Sequence, residues 1–199
     1  MIVGLSSALV GGVIGLVLGV GSAYFGGLID LVLQRILDVV MAFPLIILAL
    51  AVVSIFGTGV QNVIIAITVV YIPAFARLAY GQVLSLREQE YVQASWVLGA
   101  GSLRLLFRHI LPNALGPVIV AATLGVAGAI LAESTLSYLG YGVQPPTPTW
   151  GNMLQNAQSE MYAAPWLAIF PGLLIFITIM SINFVGDGLR DALDPRTVR

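Results

Sequence analysis

Lysine and cysteine are both missing from this chain, and His109 is its only histidine. Without lysine there is neither a Walker A phosphate-binding pattern nor a Schiff-base amine. Without cysteine there are no disulfides, thiolate ligands or thiol nucleophiles, and a single histidine cannot build a His-rich metal site. No metal centre, cofactor or catalytic cluster is therefore expected on the chain itself. Arg35 and Asp38 are spaced i, i+3, with Asp30 nearby, and read as a boundary ion pair. Asn62 and Asn183 are isolated polar positions suited to interhelical hydrogen bonds.

Glu133 stands apart because it is set in an apolar stretch, Ala132-Glu133-Ser134-Thr135. An acid at mid-bilayer costs about 2.5–3.5 kcal/mol on insertion scales, and less near the interface. Such residues usually face a bundle interior or water. Two roles follow for Glu133. It is either a translocation-pathway residue at the outer mouth, meeting a cationic amino terminus or metal ion, or a structural acid bonded to a neighbouring helix.

The elements around these residues are set by composition. Hydrophobic residues make up 59% of the 199 positions and charged residues 9%, and mean hydropathy is +1.01. Soluble domains carry about a quarter charged residues. Lipid must solvate most of this chain. The net charge of −1 gives no reason to expect nucleic acid. Residues 1–24 lack the basic start of a signal peptide, have a long apolar run and precede further spans, so they read as a span that stays.

A bilayer core about 30 Å thick needs roughly 20 apolar residues per helix. Five stretches meet this requirement: about 3–24, 37–56, 61–80, 114–135 and 165–186. The expected fold is all-α, a single polytopic membrane domain over 1–199, with a cytoplasmic loop 81–113 and an external loop 136–164. All eight arginines (35, 77, 87, 104, 108, 190, 196 and 199) fall in or beside 25–36, 81–113 and 187–199. The amino terminus, the 57–60 turn and the 136–164 loop hold none. The positive-inside rule puts the carboxyl terminus in the cytoplasm and the amino terminus outside. An external start without a leader implies either a short translocated tail or an upstream span absent from this sequence, and the second is expected. Glycines at 11, 15 and 19 give small-xxx-small spacing, for ordinary helix packing or for a partner subunit.

Segment 81–113 reads as a helix opening near Arg87, Glu88 and Glu90, a break at Gly99-Ala100-Gly101, and a second helix capped by Ser102 and ended by Pro112. Ala94, Ser95 and Gly99 lie together on the first helix, with Tyr91, Trp96 and Leu98 as apolar anchors. A helix of this kind suits a groove on another protein or the membrane surface. The external loop has three prolines in four positions, at 145, 146 and 148, and reads as stiff and extended.

The cytoplasmic spacing, Gln93-Ala94-Ser95, Gly99, then Leu111-Pro112, resembles the E-A-A-x3-G-x9-I-x-L-P motif of ABC importer permeases. Gln93 stands where the family has Glu, Ser95 at the second Ala, and His109 at the Ile. The external loop, Pro165-Trp166-Leu167-Ala168, Phe170-Pro171-Gly172 and the tail Gly186-Asp187 to Asp194-Pro195-Arg196 resemble the dipeptide, oligopeptide and nickel branch, particularly its C-type permease. The resemblance implies that 81–113 forms coupling helices docking on ATPase subunits. It implies a transport subunit rather than an enzyme, in the cytoplasmic (inner) membrane, moving peptides or, as the alternative, nickel or another small solute. It further implies a second permease subunit, two ATPase subunits that bind the ATP, an extracytoplasmic substrate-binding protein, and one more span ahead of residue 1. A membrane enzyme would need clustered acids, and a passive channel or structural membrane protein would not need the glycine-hinged loop.

Overall fold

Glycine spacing shapes the most extensive helix–helix contact among the described residues. In the computed structural model, which describes residues 1–193, α1 (Ile2–Phe25) lies along α4 (Val60–Arg87). A Cβ built on Gly15 would sit 2.5 Å from Phe75 Cβ, and one on Gly19 would overlap the Ala76 carbonyl oxygen. Only hydrogen at these positions lets the backbones approach so closely. The small-xxx-small face is thus occupied by a helix of the same chain. Ser7 Oγ adds a hydrogen bond to the Ile64 carbonyl at 3.3 Å.

The predicted span 37–56 is not one helix. α2 (Gly27–Met41) and α3 (Leu45–Phe56) meet at 94°. Pro44 is the cause: it has no N–H to continue the ladder and pushes the preceding residue out of helical conformation. At 12 residues, α3 is about 18 Å long, too short to cross a bilayer core about 30 Å thick. Much of the segment around Asp30 and Arg35, expected only as a cytoplasmic connection, is the helix α2. Glycines 57 and 59, both at positive φ, turn the chain back into α4. Asn62 Nδ2 donates to the Phe56 carbonyl at 2.8 Å, satisfying the end of α3.

Beyond α4 come α5 (Glu90–Val97), α6 (Ser102–Leu105), a π-helical turn (Leu106–Ile110) and α7 (Leu111–Tyr138). The last three run on as one apolar rod, Ser102–Tyr138. Pro112 therefore does not end a helix. The π turn absorbs the register change, with Leu111 N–H donating to Leu106 O, and Pro112 sits in the first turn of α7, where a missing N–H is tolerated. α8 (Trp150–Ala157) lies within the 136–164 loop, and α9 (Trp166–Leu193) packs on α7 and α8 while burying few of its own side chains.

Among the described residues there is no strand, and four helices are long and apolar enough to cross a membrane. Counting the bent α2–α3 pair as a span gives five. Two apolar clusters hold the bundle. One joins Val3, Ala49, Val53, Val63, Ile67, Ala129 and Leu136. The other joins Val20, Ala23, Ala79, Val83, Val92, Leu106 and Ile110 at the arginine-bearing end. The tail positions Asp194-Pro195-Arg196 and Arg199 lie outside the described residues.

Candidate functional site

The loop between α4 and α7 is built around one buried side chain. Val92 is 4% exposed and shares an apolar cluster with Val20 and Ala23 of α1, Ala79 and Val83 of α4, and Leu106 and Ile110. Burying a valine contributes about 1.5–3 kcal/mol, which fixes the base of α5 to the bundle. Tyr91, beside it, receives a hydrogen bond from Asn113 Nδ2 at 3.4 Å and lies 6.4 Å from the His109 ring. Asn113 Nδ2 also donates to the His109 carbonyl at 2.6 Å. α5 is thereby tied to both the end of α4 and the start of α7.

The far end of α5 points away from the bundle. Trp96, Val97 and Leu98 are 69%, 84% and 88% exposed. The helix closes in a Schellman motif at Gly99, φ +85°: Ala100 N–H donates to the Ser95 carbonyl at 3.1 Å and Gly99 N–H to the Trp96 carbonyl at 2.9 Å. Gly99 thus lies past the helix rather than on it. Arg87 is the last residue of α4 rather than the first turn of α5, and Glu88 follows as its C-cap. The cap of α6 is Gly101, with no side-chain bond from Ser102.

The positions singled out in sequence fall as follows. Gln93 and Ala94 are exposed on α5, with Gln93 Nε2 reaching back to the Glu88 carbonyl at 3.5 Å. Ser95 is half-buried, its Oγ donating to the Tyr91 carbonyl at 2.8 Å. Leu111 packs against the Val92 cluster, while Pro112 is exposed. Gln93, Trp96, Arg87, Tyr24, Val92 and Leu105 are among the residues lining a cleft of about 380 Å³ under α5. Arg87 Nη1 donates to the Ala23 carbonyl at 3.0 Å, placing a cation on the C-terminus of α1. Val92 and Asn113 were not singled out from the sequence, and Tyr91, read there as an apolar anchor for a partner, instead accepts a hydrogen bond from Asn113 within the chain.

Glu133 lies at the opposite end of the bundle and belongs to a different assembly. Its Oε1 accepts from Ser137 Oγ at 2.7 Å, and Ser137 Oγ accepts from Val143 N–H at 3.3 Å. Ser137 is completely buried. Asn152 Nδ2 donates to the Val143 carbonyl at 2.6 Å, and Thr149 caps α8 by accepting from Asn152 N–H at 3.1 Å. A Cβ on Gly142 or Gly151 would collide with Ser137 or the Ser134 carbonyl. The Gly- and Pro-rich external loop is therefore folded onto α7, with α8 within it.

The described residues form an all-helical bundle that projects a short helix–glycine–helix element from one end. The chain belongs to the family of binding-protein-dependent transport system inner membrane components, whose model matches residues 11–199. It is 46% identical over 193 residues to the glutathione transport system permease protein GsiD of Pectobacterium atrosepticum, covering 97% of this chain. It is 45% identical, over the same share, to the protein of that name from Escherichia coli. The chain spans 64% of the length of these relatives. Its fold is similar to a chain of the inward-facing MetNI methionine ABC transporter, with TM-score 0.79, 23% identity, and 96% and 91% of the two chains covered. An amino acid ABC transporter with histidines matches with TM-score 0.73, 15% identity and the same coverage.

Proposed function

We propose that this chain is the membrane-spanning subunit of an ATP-driven importer of peptide-like solutes. The observation that carries the reading is α5, anchored by Val92 at its base and presenting Trp96, Val97 and Leu98 uncovered at its tip. Tryptophan is enriched among interface hot spots, and Trp96 is exposed here. ATPase subunits that bind the ATP are the occupants this reading assigns to that tip. A second permease chain would complete the pathway, and an extracytoplasmic binding protein would deliver the solute. The relatives named for glutathione, a tripeptide, support a peptide-like substrate over nickel.

Glu133 enters this reading as a brace for the external loop. Glu133→Gln keeps an acceptor oxygen for Ser137 and is expected to keep uptake. Lost uptake at an unchanged membrane level would assign the residue to the pathway instead.

The docking claim is tested by copurifying the chain with its cognate ATPases from the membrane. Trp96→Ala removes the largest exposed anchor, worth about 2 kcal/mol at a hot spot, and is expected to weaken association about 30-fold. Ala94→Trp and Gly99→Val should do likewise. Undiminished association in all three variants would refute docking through α5.

A further inference from the structure

α2 turns polar side chains to the bundle and apolar ones outward, the orientation of a lipid-facing helix. Its one buried residue is Leu37, while Leu28 and Val39 face outward, 80% and 62% exposed. What attaches it to the bundle is polar. Asp30 Oδ1 accepts from Ser22 Oγ of α1 at 2.5 Å, and Asp30 Oδ2 accepts from Tyr80 of α4 at 3.0 Å. Gln34 Nε2 donates to Ser22 Oγ at 3.2 Å. Two turns on, Asp38 pairs with Arg77 of α4, and with Arg35 at 3.9 Å.

The two clasps differ in kind. Ser22 is fully buried, so the Asp30 clasp is a fixed point. Asp38 and Arg77 are about half-exposed, at 45% and 48%, so no packed side chains seal the pair and it can open without breaking the bundle's core. Both clasps grip the stretch of α4 that also meets the coupling helix: Ala79 and Val83 share an apolar cluster with Val92, and Tyr80 and Arg77 hold α2. Beyond α2 the chain bends by 94° into α3, whose Ala49 and Val53 lie in the other cluster of the bundle.

We infer that α2 is a transmission arm between the coupling helix and α3, pivoting at Asp30 and held in its resting position by an Asp38–Arg77 latch. Asp38 and Arg77 are positioning residues: they touch no solute, and they set when motion of α5 reaches α3. The inference rests on the importer reading above.

The test uses the full chain assembled with its cognate ATPases in proteoliposomes, with ATP hydrolysis as one readout. Arg77→Glu or Asp38→Arg should release the arm and raise basal hydrolysis about 2- to 30-fold, the range for residues on a coupling route. The double reversal D38R/R77E restores opposite charges and should return hydrolysis toward the wild-type rate, a rescue that general destabilisation does not produce. The second readout exploits the absence of native cysteine. A V39C/L78C chain, whose cysteines flank the ion pair and leave it intact, is treated with a thiol cross-linker, without nucleotide and after trapping with ATP and vanadate, and the yield should fall on trapping. Unchanged hydrolysis in both single variants, no rescue by the double, or equal cross-linking in both states would overturn the latch. If the wild-type chain does not assemble with the ATPases at all, the importer reading fails first and takes the latch with it.

Discussion

At Gly99 the backbone enters the left-handed region, where a side chain costs about 1–2 kcal/mol. Nothing lies within 4 Å of a Cβ built there, so Gly99→Ala tests conformation without a clash. Expected is a shortened or frayed α5, read as faster proteolysis at 95–101 in membranes, with the bundle itself unchanged. Ser137 makes a different residue-scale prediction. Ser137→Ala removes the group that links Glu133 to Val143 N–H and leaves that N–H without its partner. An unsatisfied buried group costs about 1–3 kcal/mol. Thermal unfolding in detergent should fall by several degrees, while Glu133→Gln should change it far less. The two residues differed in how legible they were. Glu133 was conspicuous as an acid in an apolar run, and its partner was one helical turn away; Ser137 gave no signal, because serines are common and only burial gives this one its weight.

Element boundaries show where sequence reasoning reached and where it stopped. Hydropathy located α1, α4, α7 and α9 to within a few residues at most ends, because spans of about 20 apolar residues have one physical meaning. It fused α2 and α3, because both are apolar and a bend at Pro44 leaves mean hydropathy unchanged. It also misread Pro112 as a stop: here the proline follows a π turn, at the first turn of α7, and the helical run continues through it. The glycines of α1 were read as a packing face without a known occupant. Contact with α4 makes them testable: Gly19→Leu would drive a side chain into the Ala76 carbonyl. Overpacking usually costs about 1–3 kcal/mol, and occasionally more, so this variant should accumulate poorly in membranes, whereas Gly21→Leu, with nothing within 4 Å, should accumulate normally.

At the scale of the whole molecule, the distribution of arginine relates the bundle to the membrane. Arg77, Arg87, Arg104 and Arg108 cluster where α4, α5 and α6 meet, and Arg35 lies beside them on α2. The end that carries Glu133, Gly142 and α8 has no arginine at all. Loops rich in arginine stay on the cytoplasmic side of the spans they flank, and this bias sets the orientation of the whole bundle. The side holding α5 is therefore expected to face the cytoplasm, where ATP is available to a docked ATPase, and the folded external loop to face the opposite compartment. The absence of cysteine makes this directly measurable. A single cysteine at Leu98 should react with a membrane-impermeant maleimide only after the cytoplasmic side is opened, and one at Tyr162, fully exposed in the external loop, should react in intact cells. The reverse pattern would place the lever on the wrong side of the membrane for any ATP-driven role. Labelling of both sites in intact cells would mean that the bundle does not insert in one orientation, and the exposed Trp96-Val97-Leu98 tip would then need a different partner.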